Sequence, residues 1–186
     1  MSDDIPPGFL LGILFLLLFL SAFFSGTETA LMALNRYRLK HKARSGHRGA
    51  RFAEKLLRRP DRLITLILFG NNLVKFTAAS LVSYLTMQLG GAAAVAAGTF
   101  VFTLVVLIFA EVTPKTLAAL DPERLALPAA YFYYPLLKVA FPLIWATNLV
   151  SNSLLKLFGV DPYNVDQDSL TIDELRVLLD ESGQLI

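Results

Sequence analysis

Long apolar runs alternate with short polar segments along the chain, and the runs are long enough to cross a lipid bilayer. No Asp, Glu, Lys or Arg occurs from Ile5 to Thr27 or from Phe76 to Ala110. If the whole second run formed a single helix, its length would far exceed a hydrocarbon core of about 30 Å, at a rise of about 1.5 Å per residue. Gly90-Gly91 offers a turn that divides this run. We predict membrane spans at about Gly8–Leu34, Leu63–Leu89 and Ala92–Leu120.

A fourth apolar region, Leu125–Leu155, has a different pattern. Three prolines interrupt it, and Lys138 lies near its middle. Proline removes a backbone donor and crowds the preceding turn, so kinks or breaks are expected. The short uncharged pieces suit a re-entrant or juxtamembrane helix pair at about 125–155, although a crossing would place the C-terminal tail on the opposite side. The predicted fold is therefore all-α, with three transmembrane helices, this re-entrant pair and short cytosolic helices.

The charge distribution predicts the orientation. Between the first two spans, a helical loop at 36–62 carries 11 of the 17 Lys and Arg residues. A short basic loop marks the cytoplasmic side of a membrane protein, and between two spans it is a poor candidate for nucleic-acid binding. The N-terminus is then outside and the C-terminus cytoplasmic, if the fourth region is re-entrant. The basic residues are Arg36, Arg38, Lys40, Lys42, Arg44, Arg48, Arg51, Lys55, Arg58, Arg59 and Arg62.

The chain becomes polar and acidic beyond Gly159. Thr171 and Glu174 have the spacing of a capping box, which predicts a short helix to about Ser182. We therefore divide the chain into a transmembrane domain at 1–160 and a cytosolic acidic helical segment at 161–186.

Polar side chains lie within all three spans, where they are costly unless they are paired or functional. Ser21 and Ser25 lie in the first span, Asn71 and Asn72 in the second, and Glu111 in the third. Counted from the centre of each span, Ser25, Asn72 and Glu111 lie at one depth, about 6–8 Å to the cytoplasmic side of the midplane. This agreement predicts a common polar pocket.

The pocket would offer only oxygen ligands, as Mg²⁺, Ca²⁺ and Na⁺ require. Pro114 cannot donate to the carbonyl of Ala110, which leaves that oxygen free beside Glu111. Gly26 allows close backbone approach in the first span. His41 and His47 lie in the basic loop and Cys is absent from the sequence, so zinc and copper are disfavoured. The spans contain no nucleophile–base pair, so no enzymatic activity is predicted.

Two ion pairs compete with a metal site. Lys115 can pair with Glu111 at i,i+4 spacing and leave that carboxylate closed to a cation. Lys75 can form a structural pair with Glu28 across the first two spans, which we favour over a ligand role for either residue. The choice between Asn71 and Asn72 as the amide facing an ion stays open.

Three ordered motifs resemble the signature segments of the CorC/CNNM family: Ser-Gly-Thr-Glu-Thr-Ala (25–30), Gly-Asn-Asn-Leu-Val (70–74) and Glu-Val-Thr-Pro-Lys (111–115). The tail Thr-Ile-Asp-Glu-Leu-Arg (171–176) resembles the family too. The resemblance implies an Mg²⁺ transporter, a homodimer, and a membrane domain followed by CBS domains that bind ATP, so this chain resembles the isolated transmembrane domain of a bacterial CorC. Carried over by motif, the metal ligands would be Ser25, Asn72 and Glu111, with Ser21, Gly26 and Ala110 in the same site.

The predicted function is Mg²⁺ transport in the cell inner membrane, and the resemblance implies export in exchange for Na⁺. Two alternatives stay open: a membrane scaffold or magnesium sensor that moves no ion, and an exporter of another cation such as a polyamine. ATP would act only through CBS domains, which this sequence does not include.

Overall fold

The computed structural model describes residues 6–158, and the regular secondary structure in that range is helical throughout. The predicted helix at 171–182 lies outside the described residues. In chain order the helices are α1 (Pro7–Met32), α2 (Arg36–Arg44), α3 (Arg48–Leu56), α4 (Pro60–Val105), a π-helix (Val106–Val112), α5 (Thr113–Leu120), α6 (Pro122–Val139) and α7 (Phe141–Leu157).

Two segments are long and apolar enough to cross a membrane, Gly8–Met32 and Pro60–Leu120. The second segment has 61 residues, about three times what a bilayer requires. It is interrupted at Gly90-Gly91, where the backbone is non-helical and Gly91 has a positive φ of 67°. Such a φ favours glycine because an L side chain would be strained there.

The chain reverses direction at this glycine pair. A Cβ built on Gly98 would lie 2.4 Å from Cγ2 of Thr86. Twelve residues along an unbroken helix would separate these positions by about 18 Å. Helix α4 therefore consists of two antiparallel arms, residues 60–89 and 92–105, and the second arm continues through the π-helix into α5. With α1, they give three membrane-length segments, as predicted.

The apolar core lies at the end of the molecule opposite the Gly90-Gly91 turn. Helices α2 and α3 form a hairpin that packs on α6, and α1 and α6 also pack together. Leu31, Leu56, Leu63 and Tyr133 are almost completely buried in this core. We call the end of these helices that carries the α2–α3 connection the loop end, and the end that carries the Gly90-Gly91 turn the turn end.

Helices α6 and α7 form the bent pair that the prolines predict. Helix α6 continues through Pro128 and Pro135, and the break falls at Ala140, just before Pro142. The residues divide into two compact units after Ile144. Ile144 is buried in the core of the first unit, and the described part of the second unit is the remainder of α7 with exposed apolar side chains such as Trp145 and Leu149.

Candidate functional site

Glu111 is the centre of a polar network that joins α1, α4 and the π-helix. The Ser25 hydroxyl donates to Glu111 Oε2 over 3.2 Å, and Ser25 is fully buried. Lys115 Nζ lies 2.9 Å from the same oxygen, and Lys75 donates to Oε1. Both carboxylate oxygens thus have cationic partners. The structure brings Ser25 and Glu111 together, as the sequence predicts, although they are 86 residues apart.

The second amide of the Asn pair, Asn72, is exposed, whereas Asn71 is buried. The hydroxyl of Ser21 donates to Oδ1 of Asn71 over 3.0 Å. Ser21 lies one turn before Ser25 on α1, so this bond forms a layer next to the Glu111 network. The amide that the structure brings to the site is Asn71, and the role of Asn72 as a ligand stays a prediction.

The expected pair of Lys75 with Glu28 is replaced by the pair of Lys75 with Glu111. Lys75 follows Asn71 by one helical turn; Asn71 contacts Ser21 of α1, and Lys75 contacts Glu111 of the third membrane segment. The i,i+4 pair of Lys115 with Glu111, which the sequence offered as an alternative to a metal site, is present. The sequence contained a signal for Lys75, because a cation so far inside a span needs a partner.

The backbone at Glu111 departs from α-helical bonding. Glu111 lies in the π-helix, and the N–H of Thr113 donates to the carbonyl of Ile108, which is the five-residue π spacing. Pro114 has no N–H to donate. The carbonyls of Phe109 and Ala110 therefore both lack their α-helical donors. This extends the sequence prediction, which concerned Ala110 alone. Single-turn π-helices are frequent at functional sites.

Gly26 allows α1 to approach this distorted segment closely. A Cβ at Gly26 would lie 3.2 Å from Cβ of Pro114 and 3.3 Å from its carbonyl oxygen. Ala110, four residues before Pro114, is fully buried. The predicted role of Gly26 in close approach therefore has a specific partner, Pro114.

A second carboxylate, Glu123, is held in a similar way at the loop end. Lys42 donates to Glu123 Oε2, and Arg38 Nε lies 3.4 Å from Oε1. Both basic residues belong to α2, so this cluster ties the basic hairpin to the first turn of α6. The hydrogen bond from Lys42 lowers the pKa of Glu123 below its usual value, and the positive charges of Lys42 and Arg38 act in the same direction against partial burial.

A cation could reach the carboxylate of Glu111 only by replacing an ammonium group, because both of its oxygens are bonded to lysines. Across residues 6–158, no three His, Cys, Asp or Glu side chains are grouped as metal ligands. A cation at Glu111 would therefore depend on neutral oxygens: the Ser25 hydroxyl, the neighbouring amide and the carbonyls that lack their α-helical donors. With two lysines and one carboxylate, the network carries a net charge of +1 as it stands.

This fold and site define a class of protein: a helical membrane domain with a polar centre between three of its segments. The sequence profile of the Cyclin M transmembrane N-terminal domain, CNNM, matches residues 12–185. The chain belongs to the CNNM family.

Relatives occur in bacteria and in plants. The chain is 48% identical over 167 residues to the UPF0053 inner membrane protein YfjD of Escherichia coli, covering 90% of this chain and 39% of the relative. It is 40% identical over 182 residues to a UPF0053 protein of Haemophilus influenzae, and the match covers 98% of this chain and 43% of the relative. A DUF21 domain-containing chloroplastic protein of Arabidopsis thaliana is 31% identical over 172 residues, and the match covers 90% of this chain and 25% of the relative. The chain thus spans about two fifths of the length of its bacterial relatives.

Proposed function

We propose that this domain carries Mg²⁺ across the membrane through a site centred on the carboxylate of Glu111. The observation that supports this most directly is the hydrogen bond from Ser25 to Glu111. It brings a buried hydroxyl and a carboxylate from two different membrane segments into contact. Ionisable residues within membrane segments are typically functional and mark ion pathways. Membership of the CNNM family agrees with this assignment.

The ligands in this proposal come from three membrane segments. Glu111 supplies the negative charge, Ser25 supplies its hydroxyl oxygen, and Asn71 supplies an amide oxygen after its bond with Ser21 is exchanged. The carbonyls of Phe109 and Ala110 are further candidates because their α-helical donors are missing. Asn72 enters only if α4 rotates. Mg²⁺ prefers about six oxygens at roughly 2.0–2.1 Å and loses water reluctantly, so several neutral ligands would be needed beside one carboxylate.

The orientation follows from the positive-inside rule. The basic hairpin of α2 and α3 lies in the cytoplasm in this proposal, and the Gly90-Gly91 turn lies outside. The membrane is the cell inner membrane, export is the direction, and Na⁺ is the candidate exchange ion. We further propose that the domain acts as a homodimer and that ATP acts only through CBS domains.

Calorimetry on the purified domain tests the site. Mg²⁺ titrated into the parent chain should give saturable binding, and Glu111→Gln should weaken it by at least about a hundredfold because the only charged ligand is lost. Glu123→Gln is the matched control, since it neutralises a carboxylate with two cationic partners outside the proposed site. Full Mg²⁺ affinity in Glu111→Gln would refute the proposal.

A second candidate is a magnesium sensor that binds the ion but does not transport it. The observation in its favour is the closed network at Glu111, in which Lys75, Lys115 and Ser25 already occupy both carboxylate oxygens. Proteoliposomes with a trapped Mg²⁺ indicator separate the two functions. A transporter gives ion flux that Glu111→Gln abolishes, whereas a sensor gives calorimetric binding without flux.

A further inference from the structure

The two lysines bonded to Glu111 reach it from opposite directions along the membrane normal. Helix α4 begins at the loop end, and Lys75 lies four residues beyond Asn71, about 6 Å closer to the Gly90-Gly91 turn. The π-helix and α5 run the other way, so Lys115, four residues after Glu111, lies about 6 Å closer to the loop end. Lys75 is therefore on the turn side of the site, and Lys115 is on the loop side.

Helix geometry explains how both side chains meet the same carboxylate. Helical side chains lean towards the N-terminus of their own helix. Lys75 on α4 thus leans towards the loop end and down onto Glu111, and Lys115 leans towards the turn end and up to it. Lys75 bonds Oε1, and Lys115 bonds Oε2 at 2.9 Å. One lysine therefore bonds to Oε1 from the turn side, and the other bonds to Oε2 from the loop side.

The two ammonium groups differ in their surroundings. The side chain of Lys75 is 27% exposed and that of Lys115 is 43% exposed, against 18% for Glu111. Lys115 can extend towards the loop end, where water is available, as long basic side chains do near membrane surfaces. Lys75 lies further inside the apolar run and has Glu111 as its ion-pair partner.

We propose that Lys75 is a tethered cation that closes the turn side of the site and is exchanged for the transported ion. This inference rests on the proposed function, because it assigns a role at the same carboxylate. An ion that enters from the loop end displaces Lys115, and an ion that passes to the turn end must first displace Lys75 from Oε1. Because an ammonium group and a cation compete for one oxygen, Lys75 weakens ion binding and limits exchange on the turn side.

The first test is the Mg²⁺ affinity of Lys75→Gln, with Lys75→Arg as the control that keeps the charge. We expect Lys75→Gln to bind Mg²⁺ at least about tenfold more tightly than the parent and Lys75→Arg to stay within about threefold. A residue that only stabilised the fold would give equal or weaker binding on removal. Equal or weaker binding in a folded Lys75→Gln chain would therefore overturn the inference, even when Glu111→Gln shows that the site itself is correct.

The second test reads access to the site without requiring Mg²⁺ binding. The sequence contains no Cys, so Ser21→Cys places a single thiol beside Asn71, which lies one helical turn before Lys75 on α4, in the direction in which the Lys75 side chain leans. A membrane-impermeant thiol reagent is applied to each face, and Ala92→Cys beside the glycine turn identifies the turn face. We expect Lys75→Gln to raise labelling of Ser21→Cys from the turn face at least about fivefold, and Lys115→Gln to leave that rate unchanged.

Equal turn-face labelling rates with and without Lys75 would overturn the inference. If Lys75→Gln does not fold, the chain that retains Lys75 still provides a test, because saturating Mg²⁺ should displace Lys75 and accelerate turn-face labelling of Ser21→Cys. Unchanged labelling with Mg²⁺ bound would contradict the exchange. Failure of the parent to bind Mg²⁺ at all would instead contradict the proposed function.

Discussion

Glu111 and Glu123 have almost the same immediate partners in different surroundings. Each carboxylate bonds to two basic side chains, and the side-chain exposures are 18% and 22%. Glu123 lies between two helices of the loop end, next to the basic hairpin, whereas Glu111 follows a 35-residue run without a charged residue. Only Glu111 also has the fully buried Ser25 hydroxyl and a π-helical backbone beside it.

The comparison shows that similar ion-pair partners can have different energetic consequences in different surroundings. In contact with water, a lost partner is replaced by solvent, so an ion pair contributes little to stability. Inside a membrane the same loss leaves a charge that nothing solvates. Lys75 therefore has to remain close to a counter-charge, whereas Lys115 can reach water at the loop end, and a transported cation would have to replace them one at a time.

The largest expected difference between the two sites is in stability. Glu111→Ala leaves Lys75 and Lys115 without a counter-charge in the apolar region and should destabilise the domain by about 3–5 kcal/mol. Glu123→Ala should destabilise it by no more than about 1 kcal/mol. Denaturant unfolding in one detergent measures both. Combining Glu111→Ala with Lys75→Met and Lys115→Met should restore most of the loss, and equal effects of the two alanine variants would break the comparison.

The coupling energy between a lysine and its carboxylate should also be larger at Glu111 than at Glu123. A double-mutant cycle on Lys75 and Glu111 is expected to give about 1–3 kcal/mol, because both side chains are mostly buried in the apolar region. The corresponding cycle on Lys42 and Glu123 is expected to give about 0.2–1 kcal/mol, and added salt should reduce it further. Coupling at Glu123 that equals or exceeds the coupling at Glu111 would contradict the assignment of Glu111 to the low-dielectric region.

A buried hydrogen bond between two uncharged side chains, Tyr133 and Thr27, gives a reference of intermediate strength. The Thr27 hydroxyl donates to the Phe23 carbonyl at 2.6 Å, so the Tyr133 hydroxyl is the donor in its 2.7 Å contact with Thr27. Tyr133→Phe should destabilise the domain by about 1 kcal/mol. The control is Tyr134→Phe, which keeps the ring that stacks on Phe52 and should change stability by less than about 0.5 kcal/mol. An equal effect of both variants would exclude a contribution from the Thr27 bond.

The smallest expected effect is the pH dependence at Glu123. Its pKa is lowered in the folded chain chiefly by the hydrogen bond from Lys42, so the carboxylate stabilises the fold above the unfolded pKa of about 4.3. This contribution disappears as the pH falls through the lower, folded pKa. The stability of the parent should therefore decrease relative to Glu123→Gln below about pH 5, by less than about 1 kcal/mol. Parallel stability profiles of the two chains would contradict the pairing.

Much of the site was predictable because hydropathy constrains membrane segments strongly. The uncharged runs and Gly90-Gly91 indicated the three segments, and equal depth then grouped Ser25 with Glu111. Pro114 indicated an irregular backbone at Ala110, because a missing N–H has a local consequence. The choice of Asn71 over Asn72 was not predictable, since neighbouring residues on a helix point about 100° apart and the sequence does not specify the rotation of α4 about its axis.

The sequence by itself determined which segments enter the membrane, where the chain turns and which residues bring polarity into the apolar runs. These properties depend on local composition and on the cost of placing charge in hydrocarbon. Only the tertiary structure decided that Lys75 pairs with Glu111 rather than with Glu28, and that two lysines close one carboxylate from opposite sides. Partner choice depends on how three helices are rotated and packed against one another, and that packing is set by contacts between residues as far apart as Ser25 and Glu111.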